Sequence, residues 1–411
     1  MLRPARPTPA NPRLAPPPLR AGHGLILIVA ALLSVGVLMV SSAGLGIGRD
    51  RPLTFIGILT SRHAMFAALA FVLMLVATRV PLDRVSRWRG VCAPAPWIAA
   101  ASIVLLLAVH LPGVGHEVNG ARRWILLGPI GFQPSELVKW GVLVVLASYA
   151  ARHAGGMGRI GVGFLVPMTL VGILCALIAL EDLGTAVLIG LVSVAVLVAA
   201  GARVWHALAL LPLGALSFAA AVVSNPYRVD RLRAFLDPFD DPRGIGYHVI
   251  QSMAAVAGGG LVGRGLGGGV QKFGYLPEDT TDFLFAIIAE ELGFAGAAFV
   301  VFLYAALLLC GFSIVQRAAT PFSRLLGLGI LLTVGFQTVI NLLVVTGLAP
   351  TKGIALPLLS AGGTGWCLTA FCLGLLVAMD RTRTETPRLG HQPAARRRDT
   401  PPPAVGPAAV S

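Results

Sequence analysis

The chain has 411 residues, of which 56% are hydrophobic and only 12% charged, and its mean hydropathy is +0.82. So apolar a sequence cannot close into a water-soluble globule without leaving large hydrophobic patches, whereas long apolar runs repeated along a chain are what a bilayer requires. A net charge of +14, from 32 Lys+Arg against 18 Asp+Glu, would suggest a nucleic-acid partner in a soluble protein; here much of it falls in tails and short loops, where it sets membrane topology and argues against nucleic acid.

The first residues are rich in Pro and Arg and read as a disordered basic cytoplasmic arm, residues 1–23. The apolar run that follows is too long for a signal-peptide h-region and is expected to stay as the first span. Ten candidate helices follow in order: Gly24 to Leu45, Arg62 to Val80, Pro96 to Leu111, Pro134 to Ala151, Ile160 to Leu180, Leu183 to Ala200, Val204 to Val223, Phe283 to Val315, Leu325 to Thr346 and Leu356 to Met379. The fold class is therefore all-α, a polytopic membrane domain over residues 24–380 with one large extracytoplasmic loop, 225–282.

Arginines recur in alternate loops, at Arg79, Arg84, Arg87 and Arg89, then Arg152 and Arg159, Arg203, and Arg317 and Arg324, so both termini are expected on the cytoplasmic side. The outer face then receives the loop holding Arg49 and Arg51, the NGARRW loop, the Glu181-Asp182 turn, the 225–282 island and the Thr351-Lys352-Gly353 loop. Residues 381–411, basic and Pro-rich without apolar periodicity, read as a disordered cytoplasmic tail.

Five cysteines, Cys92, Cys175, Cys310, Cys367 and Cys372, lie in or beside apolar runs without metal-ligand spacing and read as packing residues. The glycine run from Gly258 to Gly269 follows no predicted strand, so it is a weak phosphate-binding fingerprint and reads as a flexible outer turn. GYHVIQSMAAV before it has the spacing of an amphipathic interfacial segment, with His248 on its polar face. Only three of the 32 basic residues are lysine, Lys139, Lys272 and Lys352, all in or beneath outer motifs. A compact ammonium suits contact with a diphosphate, and chance competes with that reading.

Five stretches carry a resemblance: NGARRWILLGPIGFQPSELVKW (Asn119 to Trp140), DLGTAVLI (Asp182 to Ile189), YRVDRLRAFLDPFDDPRGIGYHVIQS (Tyr227 to Ser252), GLVGRGLGGGVQKFGYLPEDTTDFLFAIIAEELGFAG (Gly260 to Gly296) and GLAPTKGIALPLLSAGG (Gly347 to Gly363). In this order, on ten spans, they resemble the SEDS family of FtsW, RodA and SpoVE, with FLDP and QKFGYLPE closer to the FtsW branch and a RodA-like elongation polymerase as the alternative within the family. The resemblance implies a peptidoglycan glycosyltransferase that polymerises lipid II on the outer face of the cytoplasmic membrane at the division septum, with a class B penicillin-binding protein and other division proteins as partners. Thr280 departs from the family's usual histidine, Leu180-Glu181 from its Gln-Pro, and SAGGTGW from its S-Y-G-G-S-S.

An inverting displacement at an anomeric carbon needs one general base for the attacking hydroxyl and positive charge for the departing diphosphate. By resemblance, Asp282 is the base, although an Asp at a helix start also commonly caps it. Read as helical, its face continues through Ala286, Ala289, Gly293 and Gly296, a small-residue seam suited to close packing. Arg122, Arg123, Lys139 and Lys352 are the expected substrate-binding cations, each open to pairing with an acid such as Glu136 or Asp182 instead. Glu278 is open to binding substrate or cation, to tuning Asp282 or to solvating a loop; Asp279 reads as loop. A divalent cation is possible, and no other cofactor or fixed metal site is expected. Glu290 and Glu291, costly in a bilayer, are expected in structural pairs, and Arg228, Arg231 and Arg233 in a loop scaffold paired with Asp230 and Asp237. Two other classes compete: a lipid-precursor flippase, against which no inverted repeat is visible, and a non-catalytic scaffold of the division complex.

Overall fold

A computed structural model of the chain describes residues 20–44, 54–88, 90–118, 121–127, 130–361 and 363–385. The expected arm up to residue 19, the Arg49/Arg51 loop, Asn119 and the tail from 386 lie outside the described residues.

The elements run α1 (Ala21–Ala43), α2 (Phe55–Leu59), α3 (Arg62–Ala77), α4 (Leu82–Arg87), α5 (Pro94–Ala108), β1 (Gly115–Val118), β2 (Ala121–Leu127), β3 (Ile130–Phe132), α6 (Pro134–Arg152), α7 (Val166–Glu181), α8 (Leu183–Ala199), α9 (Val204–Val223), α10 (Pro226–Leu236), α11 (Tyr247–Gly258), α12 (Leu284–Gln316), α13 (Pro321–Val345) and α14 (Thr364–Glu385). Each of the ten expected spans has its long helix, so the protein is an all-α polytopic membrane protein. Six helices, 21–43, 161–181, 204–223, 284–316, 321–345 and 364–381, meet span length and composition outright, and α3, α5 and α8 are shorter apolar helices. Starts are set locally: proline opens α5, α6, α10 and α13, where its missing N–H costs nothing, and the Ser61 and Thr320 hydroxyls accept from Ala64 N and Ser323 N at 3.1 Å.

The bundle pairs α3 with α14, α1 with α12, α7 with α8, α12 with α13 and α5 with α6. α9 stands at its rim, with no residue buried. Chain ends of the membrane domain meet on one face, where Gly22 N donates to Asp380 Oδ2 at 3.1 Å.

Three departures from the expected layout concern the site. The NGARRW loop contains a three-stranded antiparallel sheet in the order β1-β2-β3, with Gly115 opposite Ile125 and Ile125 opposite Phe132. The 225–282 island is not one loop, since α10 and α11 form in it; α11 packs on α12 and is tied to α13 by Ser252 Oγ donating to Val345 O at 2.7 Å. The last helix begins at Thr364 rather than Leu356. Residues 354–360 instead form a packed non-helical plug: Ile354, Leu356, Leu358 and Leu359 are buried, Leu358 has φ +65°, and Trp366 Nε1 and Tyr304 OH donate to the carbonyls of Ser360 and Pro357.

α12 carries the clearest local surprise. Gly293 within it is non-helical (φ 68°, ψ −166°), so the carbonyls before the break and the N–H groups after it lose their helical partners. The glycine-rich loop replaces them. Arg264 N and Gly265 N donate to Glu290 O and Glu291 O (3.1 and 2.9 Å), and Phe294 N and Ala295 N donate to Gly260 O and Leu261 O (2.9 and 3.2 Å). A Cβ at Gly263 would lie 2.1 Å from Glu291 O, so this run is a tightly packed splice rather than a flexible turn, and the seam at Gly293 meets this loop.

The acids of α12 are paired as expected. Glu291 accepts from Lys272 Nζ and Ser42 Oγ, both at 2.7 Å, and from Gly267 N at 3.0 Å; Glu290 accepts from Arg264 Nη1 (3.1 Å), Val270 N (2.9 Å) and Gln271 N (3.2 Å). Both charges are thereby satisfied away from water.

Candidate active site

Asp282 precedes α12, in keeping with the expected helix start at Phe283. The residue capping the helix is Phe283, with no side-chain capping bond, and the Asp282 carboxylate accepts no hydrogen bond from any described residue. A capping role is therefore not what holds it. Its backbone is held: Asn341 Nδ2 donates to both Asp282 O and Ile354 O at 2.8 Å, and Gln337 Nε2, one turn earlier on α13, donates to Ala355 O at 2.8 Å. These two amides clamp the Asp282 turn to the Thr351–Ala355 segment. The carboxylate faces Gly353, where a Cβ would fall 2.8 Å from Asp282 Oδ2.

Lys352 comes with that same segment. Its stem lies over the start of α8, where a Cβ on Gly184 would be 1.9 Å from Lys352 Cε. There the buried Asp182 caps α8, accepting from Gly184 N and Thr185 N at 3.1 Å and from Thr185 Oγ1 at 2.7 Å. Arg231, on α10, stacks on Tyr227 with 4.5 Å to the ring centroid and donates to Thr351 O at 3.1 Å. Arg228 binds the carbonyls of Ala221, Ala179 and Leu180, closing the ends of α9 and α7.

The electrostatics follow from this convergence. Burial, then the nearby Glu278 and Asp182, push the Asp282 carboxyl up to about 7 against the opposing pull of Arg231 and Arg123. Burial, aided by Arg228, Arg231 and Arg123, brings Lys352 down to about 8, with Asp182 opposing. Asp279 is half-buried rather than a solvated loop residue, and burial raises it to about 6. His248 stacks on Phe283 at 6.3 Å between ring centroids, and burial followed by Arg231 lowers its pKa.

Of the residues expected from sequence, Asp282, Lys352, Arg123 and Glu278 come together. Glu278, at φ +58°, acts on Asp282 through its charge and accepts from Thr281 Oγ1 at 2.8 Å. Arg122 does not join them: consecutive residues of a strand point to opposite faces, and its Nε lies 3.4 Å from Glu117 Oε2. Lys139 does not either, because it is buried in an ion pair with Glu136 (2.8 Å) and donates to Gln337 Oε1 at 3.2 Å. Lys272 is likewise consumed by Glu291, which leaves Lys352 alone of the three lysines at the site.

Sequence reasoning missed Asp182, Arg231, Gln337 and Asn341. Of the expected island scaffold only Arg233 pairs with Asp230, at 3.8 Å, and both side chains are exposed. The signal for the amides was present in VGFQTVIN, two carboxamides four apart in an apolar span. Among the described residues no group of three or more His, Cys, Asp or Glu side chains is placed to hold a metal ion.

A membrane-embedded bundle that holds one unbonded carboxylate among cations at one end has the layout of an integral-membrane enzyme acting on an anionic, lipid-borne substrate. The family described as Cell cycle protein, FtsW/RodA/SpoVE, matches residues 23–385, and the chain belongs to it. It is 39% identical over 357 residues to the probable peptidoglycan glycosyltransferase FtsW of Coxiella burnetii, covering 86% of this chain and 94% of that protein. It is also 39% identical over 375 residues to the protein of the same name from Thioalkalivibrio sulfidiphilus, covering 89% and 91%. Among solved structures it resembles a chain from work described as "Structural coordination of polymerization and crosslinking by a peptidoglycan synthase complex" (TM-score 0.67, 30% identity, 88% and 98% covered). The rod shape determining protein RodA of Thermus thermophilus is similar too, with a TM-score of 0.62, 27% identity, and 88% and 97% covered.

Proposed function

We propose that the chain is a peptidoglycan glycosyltransferase of cell division that polymerises lipid II into glycan strands, with Asp282 as its general base. The observation that carries the assignment is the Asp282 carboxyl itself: raised to about 7, free of hydrogen bonds from described residues, and acted on by the charges of Arg231 and Arg123 from two separate segments. A base poised near the working pH is both available in its ionised form and strong enough to take a proton.

In this reading the 4-hydroxyl of the acceptor sugar gives its proton to Asp282 as its oxygen attacks the anomeric carbon of the donor. The bond from that carbon to the α-linked diphosphate breaks with its electron pair staying on the diphosphate, and the product is β-linked. Lys352, with Arg123 and Arg231, meets the charge that develops on the leaving group. Glu278 contributes by keeping the Asp282 carboxyl up. A divalent cation arriving with the diphosphate is the other possible source of that positive charge.

The Asp282 cluster gathers at one end of the bundle, where a headgroup can be reached without crossing the apolar core. This supports polymerisation over transport. The active end faces the outside and both termini the cytoplasm, as the alternation of arginines requires. The partner is a class B penicillin-binding protein, which joins the strands made here, and the site of action is the division septum.

The test is glycan polymerisation from purified lipid II by the protein with its cognate penicillin-binding partner, with and without EDTA. Asp282→Asn at equal folded yield should reduce polymer by about 10²- to 10⁴-fold, the usual worth of a general base. Undiminished polymer would place the base elsewhere, and loss of polymer with EDTA would assign leaving-group charge to a metal.

A further inference from the structure

At the opposite end of the bundle from Asp282, helices α1, α3 and α14 enclose a cavity of about 410 Å³. Its position follows from α14. Ala361 N, just before that helix, donates to Thr280 O at 2.9 Å beside the active site, whereas the cavity is lined by Val377, Asp380 and Arg381, roughly 24 Å further along at 1.5 Å per residue. It therefore opens at the other membrane surface.

Three guanidiniums from three segments line it: Arg20 before α1, Arg79 after α3 and Arg381 on α14. Among the described residues none of them lies within ion-pair distance of an acid. One carboxylate, Asp380, is also in the wall, its Oδ2 accepting from Gly22 N at the start of α1, so three positive charges face one negative. Arg381 spends one donor on Thr78 Oγ1 at 3.3 Å, and the His23 imidazole adds a further polar group. Three like charges gathered around an open cavity repel one another, and an anion placed among them removes that repulsion.

Membrane orientation alone does not require this arrangement. Arg317 and Arg324, at the end of α12 and the start of α13, lie exposed at the same end of the bundle and do not line this cavity. What distinguishes the cavity is its two-part lining. Below the guanidiniums the walls become apolar, with Ile26 from α1, Leu75 from α3 and Val377 from α14, and Leu75 is 41% exposed towards the bilayer. A free phosphate has no use for that lower wall. A lipid does.

We propose that this cavity binds the phosphodiester headgroup of an anionic phospholipid, with its acyl chains leaving along Leu75 and Ile26 into the adjacent leaflet. In the orientation proposed above that is the inner leaflet, whose negative surface charge favours basic pockets between membrane helices. The site is independent of the glycosyltransferase reading, because it shares no residue with the Asp282 cluster.

The test is native mass spectrometry of the full-length protein released from vesicles of equal phosphatidylglycerol and phosphatidylcholine. The wild type should retain phosphatidylglycerol over phosphatidylcholine by roughly tenfold or more, and Arg20→Gln/Arg79→Gln/Arg381→Gln should bring that preference to the vesicle ratio, while Arg317→Gln/Arg324→Gln keeps it. Equal preference in wild type and triple variant overturns the proposal. So does an equal fall in both variants, which marks general surface attraction, or loss of the retained lipid in millimolar inorganic phosphate, which assigns the cavity to a free anion. Should the triple variant fail to fold, Arg79→Gln alone carries the comparison.

Discussion

Asp282 and Lys352 are pushed towards one another in pKa, the acid up to about 7 and the base down to about 8, and burial is the first cause of both shifts. The proposed mechanism needs Asp282 ionised and Lys352 protonated, so on that reading activity should rise as pH passes about 7, where the acid loses its proton, and fall as pH passes about 8, where the ammonium loses its own. The pH profile of polymerisation by the wild type is expected to be a narrow bell. Lys352→Arg, which stays charged, should remove the alkaline limb even where its bulk lowers the maximum. The space Lys352 occupies exists because residue 184 is glycine. Gly184→Ala would put a methyl 1.9 Å from Lys352 Cε and must displace the ammonium. Polymerisation should then fall by about 10²-fold, as when a single charge-stabilising donor is removed. An unaffected Gly184→Ala rate would show that Lys352 does not serve the leaving group.

The elements that matter most are those whose regularity is broken. α12 loses its hydrogen-bond ladder at Gly293, and the loop from Gly260 to Gly265 supplies the missing donors and acceptors. That splice is locked by Lys272 against Glu291, with both side chains fully shielded at 2.7 Å. Removing one partner of such a pair leaves an uncompensated charge, so Lys272→Met should destabilise the protein by about 3–5 kcal/mol, read as a lower detergent melting temperature and folded yield. Replacing Glu291 by Gln in the same protein should recover part of the loss. A Lys272→Met protein as stable as the wild type would mean that the pair is not ionised. Sequence reasoning placed Glu290 and Glu291 in pairs but could not name the partners, because Lys272 and Arg264 reach them only after the loop has folded back. It also treated the glycines as slack, although φ values of +80° and +86° at Gly263 and Gly265 are what let the backbone lie against α12.

At the scale of the whole molecule, the site is assembled by packing between distant segments. α1 passes so close to the 354–360 plug that a Cβ on Gly36 would lie 2.7 Å from Leu358 O. Gly36→Ala must move the plug, and with it Lys352 and the Asp282 clamp, so a loss of about 1–3 kcal/mol from overpacking should appear together with reduced polymerisation. Stability lost without any change in rate per folded molecule would separate the plug from the site. The ten spans were legible in the chain, whereas of the residues expected to share a surface, Asp282, Arg122, Arg123, Lys139, Lys352 and Glu278, Arg122 and Lys139 are drawn off by Glu117 and Glu136. Hydropathy is a property of consecutive residues, and the lipid environment punishes every departure from it. The choice of which cations remain available was not legible. Lys139, Lys272 and Lys352 look alike in one dimension, and only the folded chain gives Glu136 and Glu291 to the first two while leaving Lys352 over the start of α8, within the influence of Asp182. Sequence determined the spans and the chemistry on offer, because each is written in local composition and motif. Tertiary structure decided which charges cancel and which stay poised, because pairing depends on distances between segments far apart in the chain.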